Sequence, residues 1–119
     1  LIEEIIYRLL ELSEYALNKK VKKDKIIWDP GLGFAKNKDH NIFILKNLDR
    51  LKSFDYPLLI GASRKRFIGE ILNECNPRNR DIGSLAVSSL CAQKHIEIVR
   101  VHDVKKNYQL LKVADKLYR

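Results

Sequence analysis

The apolar positions of this chain fall into blocks that switch between helical and strand spacing. Over residues 1–17, Ile2, Ile5, Ile6, Leu9, Leu12, Ala16 and Leu17 recur three and four apart, the stripe of an amphipathic helix. Asn18 and a Lys-rich run end it. Ile26-Ile27-Trp28 is continuously apolar and is cut at once by Asp29-Pro30-Gly31, which predicts a short buried strand and a turn. Ile42, Leu45, Leu48 and Leu51 share one face of a second helix over 39–52. Pro57 opens a second strand, Leu58-Leu59-Ile60, that stops at Gly61. Phe67, Ile68, Ile71 and Leu72 predict a third helix over about 64–74, and the polar stretch 76–80 a loop. A fourth helix follows from 82 to about 93, where Ala86, Ser88 and Ser89 are small enough for close packing. The third strand covers 96–101, and a last helix 104–118.

The resulting order is α-β-α-β-αα-β-α. Strands separated by helices pair in parallel through right-handed crossovers. Strands that are apolar throughout are covered on both faces. Three such strands leave two open edges, and a (β/α)8 barrel takes more than about 200 residues. The expected fold class is therefore α/β, with about three of the eight units of a barrel present.

Composition narrows this further. A chain of 119 residues allows one small domain or part of a larger one. With 45% apolar residues it can bury a core, which argues against disorder. No apolar run approaches the roughly 18 residues needed to cross a bilayer, and the Glu-bearing first helix does not resemble a signal peptide. The sequence starts at Leu1 and contains no Met, so the expectation is a fragment or processed product. Cys75 and Cys91 match no metal or redox spacing. A reduced intracellular compartment, the cytoplasm or an organelle, is expected.

The net charge of +8 raises the question of nucleic acid. Lys19, Lys20, Lys22, Lys23 and Lys25 crowd one connection, but aromatics suited to base stacking are not interleaved with them. A solvated loop is expected there, and no nucleic-acid partner. A basic helical nucleic-acid-binding module remains a rival, one that a steep salt dependence of DNA affinity would support.

Chemistry concentrates where the three strands end. In α/β folds the working groups gather at the carboxyl ends of strands. Here those ends carry Asp29-Pro30-Gly31-Leu32-Gly33-Phe34, Gly61-Ala62-Ser63-Arg64-Lys65-Arg66-Phe67 and Arg100-Val101-His102-Asp103. The Asp29 carboxylate can accept two parallel N–H bonds from an aminopyrimidine edge, or it can simply close an Asx turn. Lys65, with Arg64 and Arg66, sits where a helix begins, a place the helix dipole makes costly for cations. An anionic or acceptor-rich ligand would compensate them; an exposed basic run is the alternative. Ser63 suits a helix N-cap. Arg100 and His102 are two apart on a strand and leave the same face, where a guanidinium fork and a ring N–H can grip a pyrophosphate. His102 as a satisfied interior histidine is the alternative. Asp103 suits the cap of the final helix. His40, His95 and both cysteines carry no assigned role.

Taken together, IIWDPGLGFAK, PLLIGASRKRFIG and IVRVHDV resemble dihydropteroate synthase, in that family's order and with compatible spacing. The resemblance covers nearly the whole chain, including the Gly83-Ser84-Leu85-Ala86 helix. It implies the part of a TIM barrel holding the sixth to eighth strands, a single partial pterin-binding barrel domain over 1–119 with its N-terminal half missing. The implied reaction condenses 6-hydroxymethyl-7,8-dihydropterin pyrophosphate with p-aminobenzoate to 7,8-dihydropteroate and pyrophosphate in folate biosynthesis. By the same resemblance Asp29 binds the pterin's amino edge, Lys65 its carbonyl side, and Arg100 with His102 the pyrophosphate. Gly33, Phe34 and Gly61 shape the pocket, and Ser63 and Arg66 lie on the p-aminobenzoate side. The resemblance also implies sulfonamides as inhibitors and a homodimer formed through late helices. It further implies Mg²⁺, whose ligands are expected outside this chain, no metal ligand and no catalytic acid or base being assigned within it.

Two departures from the family stand out. Bacterial members often carry Ser after Ser-Arg-Lys, where Arg66 stands here, and SRKRFIG looks more like eukaryotic members fused to a pterin pyrophosphokinase. The family's N-terminal motifs are absent, so this chain by itself is expected to be inactive, its barrel completed by the same or another chain. A pterin-binding methyltransferase domain and a non-catalytic dimerisation fragment are the remaining rivals. Methyl transfer releases no pyrophosphate, which leaves Arg-Val-His-Asp without a purpose in the first of these.

Overall fold

Seventeen residues of helical spacing form α1 (Ile2–Asn18), with Glu3 and Glu4 in its first turn, where acidic side chains favour the helix dipole. A computed structural model describes residues 1–119. After α1 the lysine run forms an exposed turn containing a short 3-10 segment, Lys23–Lys25. Two tyrosines from outside the run are brought to it, Tyr15 beneath Lys19 and Tyr56 beneath Lys23.

The predicted second helix is two helices, α2 (Lys38–Lys46) and α3 (Leu48–Lys52). Asn47 separates them at φ −117°, its side chain donating to the Phe43 carbonyl at 2.7 Å. An Asn that bonds its own preceding turn competes with the helix ladder. The apolar stripe crosses the break intact, because Ile44, Leu48 and Leu51 are all fully buried.

The strands are shorter than their apolar runs. Trp28 makes one parallel bridge to Leu58, while β1 (Leu59–Ile60) pairs in parallel with β2 (Ile98–Val99), Leu59 opposite Ile98 and Ile60 opposite Val99. The ladder continues past these bounds, with Trp28 N–H to Pro57 O and Leu59 N–H to Trp28 O, both at 2.8 Å. It extends further through Arg100 N–H to Ile60 O at 3.0 Å. Strand order thus follows chain order, as consecutive right-handed βα units require.

Between β1 and β2 lie α4 (Arg66–Leu72), a 3-10 turn (Pro77–Arg80) and α5 (Asp81–Gln93); α6 (Val104–Tyr118) closes the chain. Helix α4 begins two residues later than predicted because Arg64 has φ 58°, which no α-helix accommodates. It ends at Asn73 in the left-handed conformation, a usual C-terminal stop. The small residues of α5 do allow close approach to α6, across which Ser88 donates to Asn107 Oδ1 at 2.6 Å in a buried contact.

Strand alternation decides which face is dry. Trp28, Leu58 and Ile60 point toward the helices and are essentially inaccessible; each full burial contributes about 1.5–3 kcal/mol. Trp28 stacks on Tyr56 at 4.8 Å and donates its indole N–H to Ser13 Oγ at 2.7 Å, so a large side chain is buried with its polar atom satisfied. The opposite face is different. Ile27 is 50% exposed and Ile98 36%. The molecule measures 43 × 33 × 20 Å, and its shortest dimension fits one sheet and one layer of helices of roughly 10 Å diameter. The inner face of the sheet is uncovered, and it is the face on which Asp29, Leu59, Gly61, Ile98 and Arg100 fall by register.

Candidate functional site

The three strand tips meet at one edge of the slab. Gly61 ends β1 beside Arg100 at the end of β2; a methyl group on Gly61 would lie 3.7 Å from Arg100 Cβ and 3.9 Å from Lys65 Nζ. Gly33, at φ 86°, brings the first loop against the Lys65 stem, leaving 3.1 Å between a notional Cβ and Lys65 Cδ. Only glycine offers both this backbone and this approach. Lys65 Nζ donates to the Leu32 carbonyl at 2.6 Å and stands 5.1 Å from the centre of the Phe34 ring, a cation–π separation.

Two cavities open on this edge and share Lys65. The smaller, about 140 Å³, is lined by Gly61, Ser63, Lys65, Arg100, Val101 and His102. The larger, about 780 Å³, holds Phe34, Lys36, Lys38, Arg66 and Glu70 around the other side of Lys65. Asp29 lines neither cavity. Its Oδ1 accepts the Gly31 N–H at 2.8 Å, the Asx turn that Asp-Pro-Gly suggests, and the residue is exposed. Asp29 nevertheless acts on Lys65 electrostatically. Burial lowers the Lys65 ammonium below the ordinary lysine value, Arg100 and Lys36 lower it further, and Asp29 pulls it back up.

Of the three consecutive cations, two are compensated within the chain. Arg64 forms a two-pronged pair with Asp81, Nε to Oδ1 at 2.8 Å and Nη2 to Oδ2 at 3.2 Å. Arg66 is exposed and pairs with Glu70 one turn on, at 3.1 Å. Lys65 has only the Leu32 carbonyl and the Phe34 ring, which leaves its charge for a ligand.

Ser63 does not cap α4, whose N-cap residue is Lys65. Its hydroxyl accepts the His102 backbone N–H at 3.1 Å and meets His102 Nδ1 at 2.8 Å. Where the Ser63 hydroxyl donates to Nδ1, the ring N–H is on Nε2 and is free to donate; where Nδ1–H donates to Ser63 Oγ, Nε2 is an acceptor instead. Ser63 lines the smaller cavity with His102 and Arg100, while Arg66 lines the larger one. Asp103 caps α6 by accepting the Lys106 N–H at 3.0 Å.

Sequence reasoning passed over the residues that hold these groups. Asn41, 2% exposed, accepts the Gly33 N–H at 2.8 Å and donates to Asn37 O at 2.9 Å. Lys36 Nζ ties Gly31 O and Phe34 O together at 2.9 and 3.0 Å. A polar residue one turn before the buried Ile44-Leu45 pair was the available signal for Asn41. Arg80 and Asp81 had none, because their partner lies sixteen or seventeen residues away across a loop.

The Arg64 pair makes a pH prediction. Hydrogen bonding from Arg64 holds the Asp81 carboxyl below the usual carboxylate range. A lowered folded value means stability fully present above the unfolded value near pH 4 and lost as pH falls through the folded one. The gap in melting temperature between wild type and Asp81→Asn should therefore shrink steadily below about pH 4. A gap independent of pH would show that the charge of Asp81 contributes nothing.

A sequence profile described as "Pterin binding enzyme" matches residues 1–102. The chain belongs to the pterin-binding enzyme family. Within that family it is 46% identical over 99 residues to the dihydropteroate synthase of Synechocystis, an alignment covering 83% of this chain and 34% of that protein. Among solved pterin-binding enzymes, the Yersinia pestis dihydropteroate synthase superposes with a TM-score of 0.94 at 35% identity, over 98% of this chain and 54% of that one. The Xanthomonas albilineans dihydropteroate synthase, solved in complex with 7,8-dihydropteroate, gives 0.94 at 36% identity over 97% and 44%. The fold is thus a portion of the TIM barrel of dihydropteroate synthases, as the three strand-end motifs imply, and the chain spans about a third of the length of the Synechocystis relative. No helix of this family member is long and apolar enough to cross a membrane.

Proposed function

We propose that this chain supplies the last three strand tips of a dihydropteroate synthase barrel and binds 6-hydroxymethyl-7,8-dihydropterin pyrophosphate at the edge where they meet. The observation carrying this is Lys65. It is a partly buried ammonium without a carboxylate partner, shared by a small cavity ending in Arg100 and His102 and a larger one walled by Phe34 and Arg66. A flat acceptor-rich ring and a diphosphate need such a neighbourhood, and Asp29 keeps one carboxylate oxygen for the ring's amino edge.

Each residue then has a task. Asp29 and Lys65 orient the pterin, while Gly33 and Gly61 leave it room. Arg100 and His102, whose ring is held by Ser63 and in this proposal donates through Nε2–H, hold the diphosphate. As the bond from the pterin methylene to the ester oxygen breaks, negative charge grows on the departing pyrophosphate, and donors aimed there lower the barrier. The arylamine attacks the methylene with its own lone pair as the C–O bond breaks, and the acidic proton of the resulting anilinium passes to water or to the departing pyrophosphate, so no strong base is needed. Phe34 offers its ring a wall, and Arg66 with Lys38 an attraction for its carboxylate in the larger cavity.

Mg²⁺, which the resemblance implies, takes oxygen ligands in octahedral geometry. The anion end of this site offers Arg100, His102 and Ser63 instead, and no three acidic, His or Cys side chains converge on a point. The residues here do not form a Mg²⁺ shell, and in this proposal its ligands belong to the rest of the barrel. That remainder would also cover Ile27 and Ile98 on the open face. The expected homodimer has a candidate seat in an apolar groove of about 500 Å³ between α2, α4 and α5. An intracellular location, cytoplasmic or organellar, belongs to the same proposal.

Calorimetry of the complete barrel with 6-hydroxymethyl-7,8-dihydropterin pyrophosphate, followed by assay of dihydropteroate formation on adding p-aminobenzoate, tests this. Binding and turnover are expected from the barrel and no turnover from residues 1–119 alone. A barrel that binds no pterin, or a 119-residue chain as active as the barrel, refutes it.

A further inference from the structure

Arg64 is held in the left-handed backbone region, at φ 58°. For a residue with a long side chain this backbone is strained and persists only where the surroundings over-determine it. Here the segment 80–84 engages the backbone N–H, the carbonyl and the guanidinium of Arg64. Ser84 Oγ accepts its N–H at 2.9 Å, Arg80 Nη1 donates to its carbonyl at 3.0 Å, and Asp81 takes its guanidinium through both oxygens.

The clamp is itself anchored. Arg80, only 9% exposed, also donates to Glu74 O at 3.0 Å and Cys75 O at 3.1 Å. Its guanidinium lies so close over Gly69 that any side chain there would collide with it. The residues on either side of Arg64 are the two that face ligand in the proposed function. Ser63 orients His102, and Lys65 stands between the two cavities. Relaxation of Arg64 toward the ordinary helical region would turn both neighbouring peptide units and carry these side chains with them.

We propose that Asp81 is a positioning residue for pterin pyrophosphate: through its two-pronged grip on Arg64 it holds the strained turn that presents Ser63 and Lys65 to the ligand. The proposal rests on the function given above. A partly exposed ion pair adds little to global stability. The loss of Asp81 therefore registers chiefly in the turn, where the strain is local.

The test is calorimetric titration of the complete barrel with 6-hydroxymethyl-7,8-dihydropterin pyrophosphate. Asp81→Asn is expected to weaken binding about tenfold while lowering the melting temperature by no more than a few degrees at neutral pH, and Asp81→Glu to recover part of the loss. In a Lys65→Ala background the same Asp81→Asn change should weaken binding less than about threefold, since residues acting through one another are not additive. Should Asp81→Asn fail to fold, Arg64→Ala removes the grip while keeping the strain of positive φ and is expected to show the same loss, whereas Arg64→Gly, for which positive φ is unstrained, is expected to lose less. Unaltered affinity in the folded variant, or a tenfold loss undiminished in the Lys65→Ala background, overturns the role of Asp81. A wild-type barrel that binds no pterin pyrophosphate refutes instead the function on which it rests, so the two failures are separable.

Discussion

Lys65→Ala in the complete barrel should weaken binding of 6-hydroxymethyl-7,8-dihydropterin pyrophosphate by about a hundredfold, because hydrogen bonds to a charged group contribute about 1.5–3 kcal/mol each. The ammonium already donates to the Leu32 carbonyl at 2.6 Å, and two of its protons remain for acceptors on the ring. Truncation loses those bonds and also orphans the Leu32 carbonyl, on a residue 1% exposed, so the loop carrying Gly33 and Phe34 loosens.

The pH dependence has a definite sign. Burial lowers the Lys65 ammonium in the free protein, so below its folded value the full cost of holding that charge is present. That cost is relieved as pH rises through the window between the folded and unfolded values. A bound diphosphate ester favours the charged form. Affinity is therefore expected to fall as pH rises through the lowered Lys65 range, in wild type but not in Lys65→Ala. Equal affinity of wild type and variant would remove Lys65 from the site.

Arg100→Ala should separate the two halves of the ligand. Arg100 lines the small cavity with His102 and Ser63, at the end assigned to the diphosphate. A guanidinium fork matches phosphate oxygens in pairs, and losing such a contact costs about 1.5–3 kcal/mol. The pyrophosphate ester should accordingly bind about thirtyfold more weakly, and the free 6-hydroxymethyl-pterin alcohol almost as before. Competitive titration with both ligands reads the ratio directly. Equal weakening of the two would make Arg100 a stacking partner of the ring with no hold on the anion.

The two variants probe different edges of one arrangement. Gly61 is close to both Lys65 Nζ and Arg100 Cβ, so the two cations converge on shared space and repel. Lys36 adds a third charge nearby, fastened to the carbonyls of Gly31 and Phe34. Such like-charge crowding costs stability in the free protein and is relieved by an anion. Active sites commonly hold groups displaced from their ordinary proton affinity in this way.

Much of this could be read from residue order. The helical stripes of α1, α5 and α6, the continuous apolar strand cores and their parallel, sequential pairing follow from periodicity, because a side chain's face is set by 3.6- or 2-residue repeats. Polar clusters at three strand ends marked the candidate site, since strands that run the same way bring their carboxyl ends to one edge. Asp29, Lys65, Arg100 and His102 were visible as chemistry in unusual places.

What only the folded chain decided was the backbone at single residues and the bonds between distant ones. Helix 39–52 breaks at Asn47 because one side chain captures the preceding turn. The start of α4 moves to Arg66 because Arg64 is drawn into left-handed geometry by Ser84, Arg80 and Asp81. Ser63 turns to His102, thirty-nine residues away, and Asn41 reaches back to Gly33. Periodicity is a property of neighbours in sequence and survives in the one-dimensional string. A hydrogen bond chosen among competing partners is settled only when packing brings those partners within about 3 Å.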